Sequence, residues 1–342
     1  MRLIPVTALK EDTKIALDIL DENAKILLQK GTVVNKDDIK NLKNNKIASV
    51  YAVDDYCFND RFTYTSQPSN ILRKVVVLKK VAKMAAQGTA TKEILLEAIE
   101  TVNTIVTVLQ DQKVNWKIVY EPRKILSNDF EEKTIYIAMM SALFALKLGF
   151  SKREASAICL GALLKDIALV NATTGWADDK NNTQHPLKGY NYLKDQYHLP
   201  EDILNIVLHH EEYYDGTGYP NNLKGEAICA GARIISIVDM YYRIKTTTNN
   251  YCSTLEIDFI KRMSQLDPNY LDIFLSSVDI YDPDTLVELT NGGIAVVNNT
   301  PPLNPFQPEV TVIKSETHFT GEVLNLAKIF DLNIKRIVYY VE

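Results

Sequence analysis

The chain has 342 residues, 46% of them hydrophobic and 24% charged, with a formal net charge of −5. That length accommodates two or three compact units, and the apolar content is ample for sizeable cores. The charges are spread without acidic or basic blocks, which argues against a nucleic-acid groove or a patch for anionic membranes.

The N-terminal run MRLIPVTALKED has no apolar segment of the kind a secretory signal needs. Residues 1 to about 60 read as a small α/β unit. Asp21-Glu22-Asn23 turns between the apolar runs Ile15–Leu20 and Lys25–Leu28, and Gly31 ends the second strand. Asn35 caps a short helix, Lys36–Lys43, ahead of a strand over Ile47–Val53. Residues from about 61 to 115 read as a helical connector, with amphipathic helices over Ile71–Ala86 and from Thr91 to about Leu109. Cys57, Cys159, Cys229 and Cys252 form no C-x-x-C pair, so buried thiols in a reducing, cytoplasmic setting are expected.

Asp129–Leu148 is a strongly apolar helix closed by Gly149, and Ser151 caps the next, which runs from Lys152 to about Val170. Its longest neighbouring apolar run, Ile135–Leu146, falls short of the ~20 residues that cross a bilayer, so no membrane span is expected. Lys165 and Asp166 interrupt core-spaced leucines, and an aspartate there is costly unless it is paired or coordinates a metal. A polar loop over 171–184 leads to His185-Pro186, which opens another helix. Pro200 and an acidic first turn start the helix that ends in His209-His210-Glu211-Glu212. The turn Asp215-Gly-Thr-Gly-Tyr-Pro220 follows it. Ala230–Lys245 is a further helix, with Asp239 embedded among isoleucines and valine. From about residue 281 period-two alternation takes over, with a hairpin over Leu286–Leu289 and Ile294–Val297 and a strand over Val310–Ile313. His198 and His318 read as solvated.

Of the chain's five histidines, His185, His209 and His210 fall in the neighbourhood of the acids Asp166 and Asp239. Neutral imidazole with carboxylate is a donor set that suits Zn, Fe or Mn. Adjacent histidines on one helix diverge, so His209 and His210 share an ion only near a helix end. The glycines at 216 and 218 supply such an end.

The order Leu163-Leu-Lys-Asp-Ile, His185-Pro, His209-His-Glu, Asp215-Gly-Thr-Gly-Tyr-Pro220 and Arg233-Ile…Asp239 resembles the HD-GYP family. The resemblance covers about residues 125 to 275 and extends to Leu223–Glu226 after the GYP turn. It implies a mainly α fold, with a helical domain over about 116–275 and a small C-terminal antiparallel β module over about 276–342. It also implies hydrolysis of cyclic dinucleotides, chiefly cyclic di-GMP, at a centre of two or three ions. Asp166, His185, His209 and His210 would hold one ion, and Asp239 would join them as a ligand and water-orienting group. Lys165, Gly218, Tyr219 and Pro220 would line the substrate.

The departures from the family pattern are specific. The upstream helix histidine falls near Thr134, and the His-Asp pair reads Lys165-Asp166. The lysine expected three residues later is Leu169, and no arginine occupies Thr246–Tyr251. The loop before His185 looks shortened, and one residue is inserted between His-His-Glu and Asp-Gly. Only Asp166 and Asp239 remain for a second ion, so one divalent transition metal is expected and a second is not. Lys165 either puts a fixed positive charge where that second ion would sit or reaches solvent. Two readings follow. One is a degenerate member acting as a signalling or scaffold protein through the GYP region or the end modules. The other is a metal-dependent cyclic di-GMP phosphodiesterase. No nucleic-acid polymer is expected as a partner.

Overall fold

A computed structural model describes residues 1–21, 25–47, 49–58, 77–78, 91–112, 130–170, 183–247, 255–300 and 304–341. Most of the expected helix over 71–86, the polar loop over 171–182 and residues 248–254 lie outside them. The fold is mainly helical, with a small strand-rich module before the helices and an antiparallel sheet after them.

In the N-terminal module β1 (Arg2–Pro5), β5 (Ser49–Val53) and β2 (Lys14–Ile15) form an antiparallel sheet. The run Ile15–Leu20 is not one strand: β3 (Ile19–Leu20) pairs instead with β4 (Ile26–Leu28) in a separate hairpin. Two bends part β2 from β3, and period-two alternation gave no sign of them. Helix α1 (Lys36–Asn44) starts in a reciprocal cap, in which Asn35 Oδ1 accepts the Asp38 N–H and the Asp38 carboxylate accepts that of Asn35. Its Leu42 is buried against Ile4, Ile15, Val34 and Val50.

The central domain contains α2 (Lys92–Gln112), α3 (Phe130–Lys147), α4 (Lys152–Leu164), α5 (Ile167–Val170), α6 (His185–Tyr197), α7 (Glu201–His209), α8 (Ala230–Thr247), α9 (Leu255–Arg262) and α10 (Pro268–Leu275). Gly149 takes φ +91° to reverse the chain, and Ser151 with Glu154 caps α4. The helix expected to run unbroken to Val170 stops at Leu164 and resumes at Ile167. On an unbroken helix with 3.6 residues per turn, Lys165 and Asp166 would point about 100° apart. Here the Lys165 ammonium nonetheless meets the Asp166 carboxylate.

The C-terminal sheet has the order β10-β6-β7-β8-β9, from β6 (Leu286–Leu289), β7 (Ile294–Val297), β8 (Glu309–Lys314), β9 (Val323–Asn325) and β10 (Ile334–Val338). The last two strands were not legible in the sequence, being short and only partly alternating. His318 is half-buried beside Glu322, at 3.2 Å, rather than solvated. The sheet shares one apolar core with the helices, where the Phe259 and Phe306 rings lie 5.2 Å apart. The N-terminal module has its own core, against which Tyr339 and Tyr340 pack. The Tyr340 hydroxyl accepts the Lys10 N–H at 2.9 Å and lies 2.8 Å from the Thr13 hydroxyl.

One side chain sets the spacing of the helices that carry the histidines and acids. Ile206 of α7 packs directly on Gly161 of α4 and Gly231 of α8. A β-carbon at Gly161 would lie 2.5 Å from Ile206 Cγ2, and one at Gly231 would lie 2.7 Å from its Cδ1. The two glycines let three helices approach closely, with Asp166 shortly after one, Asp239 one helical stretch after the other, and His209-His210 just beyond Ile206. Gly161→Ala should therefore overpack the junction and cost up to about 1–3 kcal/mol, less the gain of about 1 kcal/mol in helix propensity. Combined with Ile206→Ala, the two changes should couple favourably by at least about 0.5 kcal/mol in a chemical-denaturation cycle. Strict additivity would show that the contact does not set the helix spacing.

Candidate metal centre

Three helix ends build the cleft. Asp166 sits in the break between α4 and α5, His185 at the first residue of α6, and His210 at the end of α7. All three are buried. His210 Nε2 lies 3.3 Å from Asp166 Oδ1, His185 Nε2 lies 3.6 Å from the same oxygen, and the two imidazole nitrogens are 3.0 Å apart. Tetrahedral donors at bonds of about 2.0–2.1 Å stand about 3.3 Å from one another, so these separations match one shared ion.

The tautomer also fits. His210 Nδ1 lies 2.7 Å from the Val207 carbonyl, which can only accept, so Nδ1 carries the proton and donates it. In the neutral ring Nε2 is then bare and faces Asp166 and His185. A carbonyl behind a ligating imidazole is the usual device for fixing ring and tautomer.

His209 does not join this group. Its Nδ1 accepts the Cys229 N–H at 3.3 Å, and among the described residues the cluster within 4.8 Å comprises Asp166, His185 and His210. His210 keeps right-handed helical backbone, φ −67° and ψ −16°, so the helix end does not swing the two rings together. Burial lowers the pKa of His209, an effect partly countered by Glu212.

Lys165 does not reach solvent. It is 5% exposed, and its ammonium pairs with Asp166 Oδ2. Burial would lower the Lys165 pKa, but Asp166, Asp239 and Glu211 outweigh burial and raise it. Asp166 shows the converse balance. Burial pushes its carboxyl up, yet the Lys165 ammonium holds it well below the usual carboxylate range. Its two oxygens are thus divided, Oδ1 toward the imidazoles and Oδ2 toward the ammonium.

Asp239 lies apart from the three-residue cluster and is held by other cations. Lys133 Nζ stands 2.9 Å from its Oδ1, and Arg243 Nε, one turn further along α8, stands 2.6 Å from its Oδ2. Neither cation was singled out in the sequence. The residue of α3 that reaches Asp239 is Lys133 rather than its neighbour Thr134, which is buried. Arg243 precedes the Thr246–Tyr251 stretch in which the family pattern looks for an arginine. An i, i+4 search from Asp239 would have found Arg243, whereas Lys133 shows only once α3 is packed on α8.

The GYP turn forms the neighbouring wall. The Tyr219 ring meets His185 edge-on, with centroids 6.0 Å apart. Buried Glu212 accepts the Asn221 and Leu223 N–H groups at 2.7 and 2.9 Å, pinning the turn to α7. Gly218 is sterically required, because a β-carbon there would lie 2.3 Å from Tyr213 N and 2.5 Å from Glu211 O. Pro220 is half-buried in the same turn, and Asp215 turns away to Thr217 and Ser264.

Burial raises the Asp239 carboxyl, but Lys133, Arg243 and Lys165 together depress it below its ordinary value. A depressed folded pKa contributes stability that is present above the unfolded value of ~3.9 and is lost as pH falls through the folded value. Wild type should therefore lose urea stability on acidification below about pH 4 more steeply than Asp239→Asn, the gap between them narrowing as pH drops. Parallel acid limbs for the two proteins would contradict the pairing.

A family model described as HD domain matches residues 123–269. The chain is 29% identical over 152 residues to the cyclic di-GMP phosphodiesterase PA4108 of Pseudomonas aeruginosa, covering 42% of this chain and 37% of that protein. It is 33% identical over 122 residues to the cyclic di-GMP phosphodiesterase response regulator RpfG of Xanthomonas campestris, covering 33% of this chain and 32% of that protein. The chain thus spans about a third of the length of these two curated relatives. Among solved structures, Bd1817, an HDG"Y"P protein from Bdellovibrio bacteriovorus, superposes with a TM-score of 0.52 at 18% identity, over 80% of this chain and 99% of that one. That likeness establishes the shared fold.

Proposed function

We propose that the chain, which resembles the HD-GYP family and matches the HD domain model over residues 123–269, is a degenerate member of cyclic di-GMP signalling. In this reading it holds at most one divalent ion, hydrolyses phosphodiesters slowly or not at all, and acts as a signalling or scaffold protein. The observation that carries the reading is the Lys165 ammonium on Asp166 Oδ2. A carboxylate that bridges two ions uses both oxygens, and here one is occupied by a protein cation. Asp239, the other acid in reach of a second ion, is likewise committed to Lys133 and Arg243.

Asp166, His185 and His210 would hold the remaining ion, with His209 behind them on the Cys229 amide. Bound there, a divalent cation such as Zn, Fe or Mn would supply a Lewis acid and a water of lowered pKa. The chain's own groups would do the rest. Val207 keeps the His210 lone pair turned inward, Tyr219 backs His185, and Glu212 holds the turn against the cleft. The second fixed clamp on a phosphoryl group, which a two-ion site provides, would be lacking. Leu169, half-buried after the helix break, offers no cation to a phosphate. Charge-assisted contacts of that kind contribute roughly 1.5–3 kcal/mol each.

A second reading, an active metal-dependent phosphodiesterase, is favoured by one observation: the intact Asp166–His185–His210 donor set with an inward lone pair on His210. In either reading cyclic di-GMP is the proposed ligand, and the GYP turn and the end modules are the proposed contact surfaces. No helix among the described residues is long and apolar enough to cross a membrane.

The test compares wild type, Lys165→His and His210→Ala for cyclic di-GMP hydrolysis under manganese and under anaerobic iron. Wild type should run at or near the His210→Ala background, and Lys165→His alone should recover little, because Lys133 and Arg243 still hold Asp239. Ready turnover by wild type that His210→Ala abolishes would overturn the proposal in favour of the second reading.

A further inference from the structure

A cleft that gathers buried acids needs positive charge in it, because an unpaired buried carboxylate costs several kcal/mol. Family members supply that charge as divalent ions, and this chain supplies it differently. Three cations converge from three separate parts of the fold: Lys133 from α3, Lys165 from the break after α4, and Arg243 from α8. Lys165 contacts Asp166, and Lys133 and Arg243 contact Asp239. Lys165 is the innermost and Lys133 is three-quarters buried, so neither is a solvated surface charge that happens to lie near an acid.

The donor set of the second ion therefore does not fit a metal, and the disagreement has a structural consequence. We infer that Lys133, Lys165 and Arg243 are permanent counter-ions of this cleft, so that the domain keeps its fold without the second divalent cation. The inference rests on the degenerate reading above but goes beyond it, since it concerns what holds the site together rather than what the site turns over. The first ion at Asp166, His185 and His210 becomes an addition to an already neutralised cleft. Deleting Lys165 leaves Asp166 Oδ2 without its counter-ion while Lys133 and Arg243 stay on Asp239, and a divalent ion becomes the group that can neutralise Asp166.

The experiment measures thermal midpoints of the full chain in EDTA and in manganese, with metal equivalents after dialysis, for wild type, Lys165→Met, Lys133→Met and the remote control Lys335→Met. Wild type and Lys335→Met should unfold at nearly the same midpoint as each other in EDTA and bind no more than one equivalent. Lys165→Met should fall in EDTA by about 6 °C or more, the shift for removing one partner of a buried pair from a domain of this size. Manganese should then raise its midpoint further than it raises that of wild type, with an added equivalent retained. If Lys165→Met is insoluble without metal, recovery on refolding with manganese supports the assignment. If it is insoluble with and without metal, the same criteria apply to Lys133→Met, whose partly exposed side chain makes it the milder change. Wild type unfolding in EDTA as readily as the variants would overturn the inference, and so would variants whose response to manganese equals that of wild type. Hydrolysis by wild type with one equivalent bound would instead remove the impaired-turnover reading and leave the counter-ions in place.

Discussion

The contact on which the centre depends is the buried pair of Lys165 and Asp166, adjacent residues in the break between Leu164 and Ile167. Desolvation works against both ions, raising the acid's pKa and lowering the amine's, and their mutual attraction outweighs it on each side. A pair of this kind adds little to stability compared with a well-packed apolar replacement. Its effect is on specificity: it assigns one oxygen of Asp166 to the protein and leaves the other to the imidazoles.

The rest of the cleft follows from that division. His185 and His210 face the free oxygen, and the Val207 carbonyl behind His210 sets which nitrogen looks inward. Asp239 takes its charge from Lys133 and Arg243. Packing keeps these groups in register, because Ile206 against Gly161 and Gly231 draws α4, α7 and α8 together at the level where the ligands emerge. The GYP turn closes the wall, held by the two amides on Glu212 and admitted only by the missing side chain at Gly218.

The chain thus keeps the shape of an HD domain while ammonium and guanidinium groups stand on the two acids of its cleft. The shape is robust because it rests on apolar packing that the substituted residues do not touch. The chemistry is fragile because it rests on a few donors, each of which changes the charge balance when replaced.

Much of this was legible from residue order. The caps at Asn35 and Ser151, the turn at Gly149, the proline that starts α6 and the hairpin around Asn291-Gly-Gly293 are local signals, set by contacts within a few residues. The fold class was also readable; of the five residues expected in one cleft, Asp166, His185 and His210 lie together and His209 and Asp239 stand apart from them. Other features depended on groups distant in sequence and only the tertiary structure decided them. The break at Lys165 is one, since nothing local ends a helix there and the pairing in the cleft compensates for it. The turning of His209 to the Cys229 amide is another, as it needs α8 alongside α7. Lys133 on Asp239 is the third, a contact across 106 residues that no spacing rule contains. Sequence alone determined the locally capped and punctuated elements and which acids and imidazoles are available. Packing determined which of them share a charge, because an electrostatic partner is chosen by distance in space.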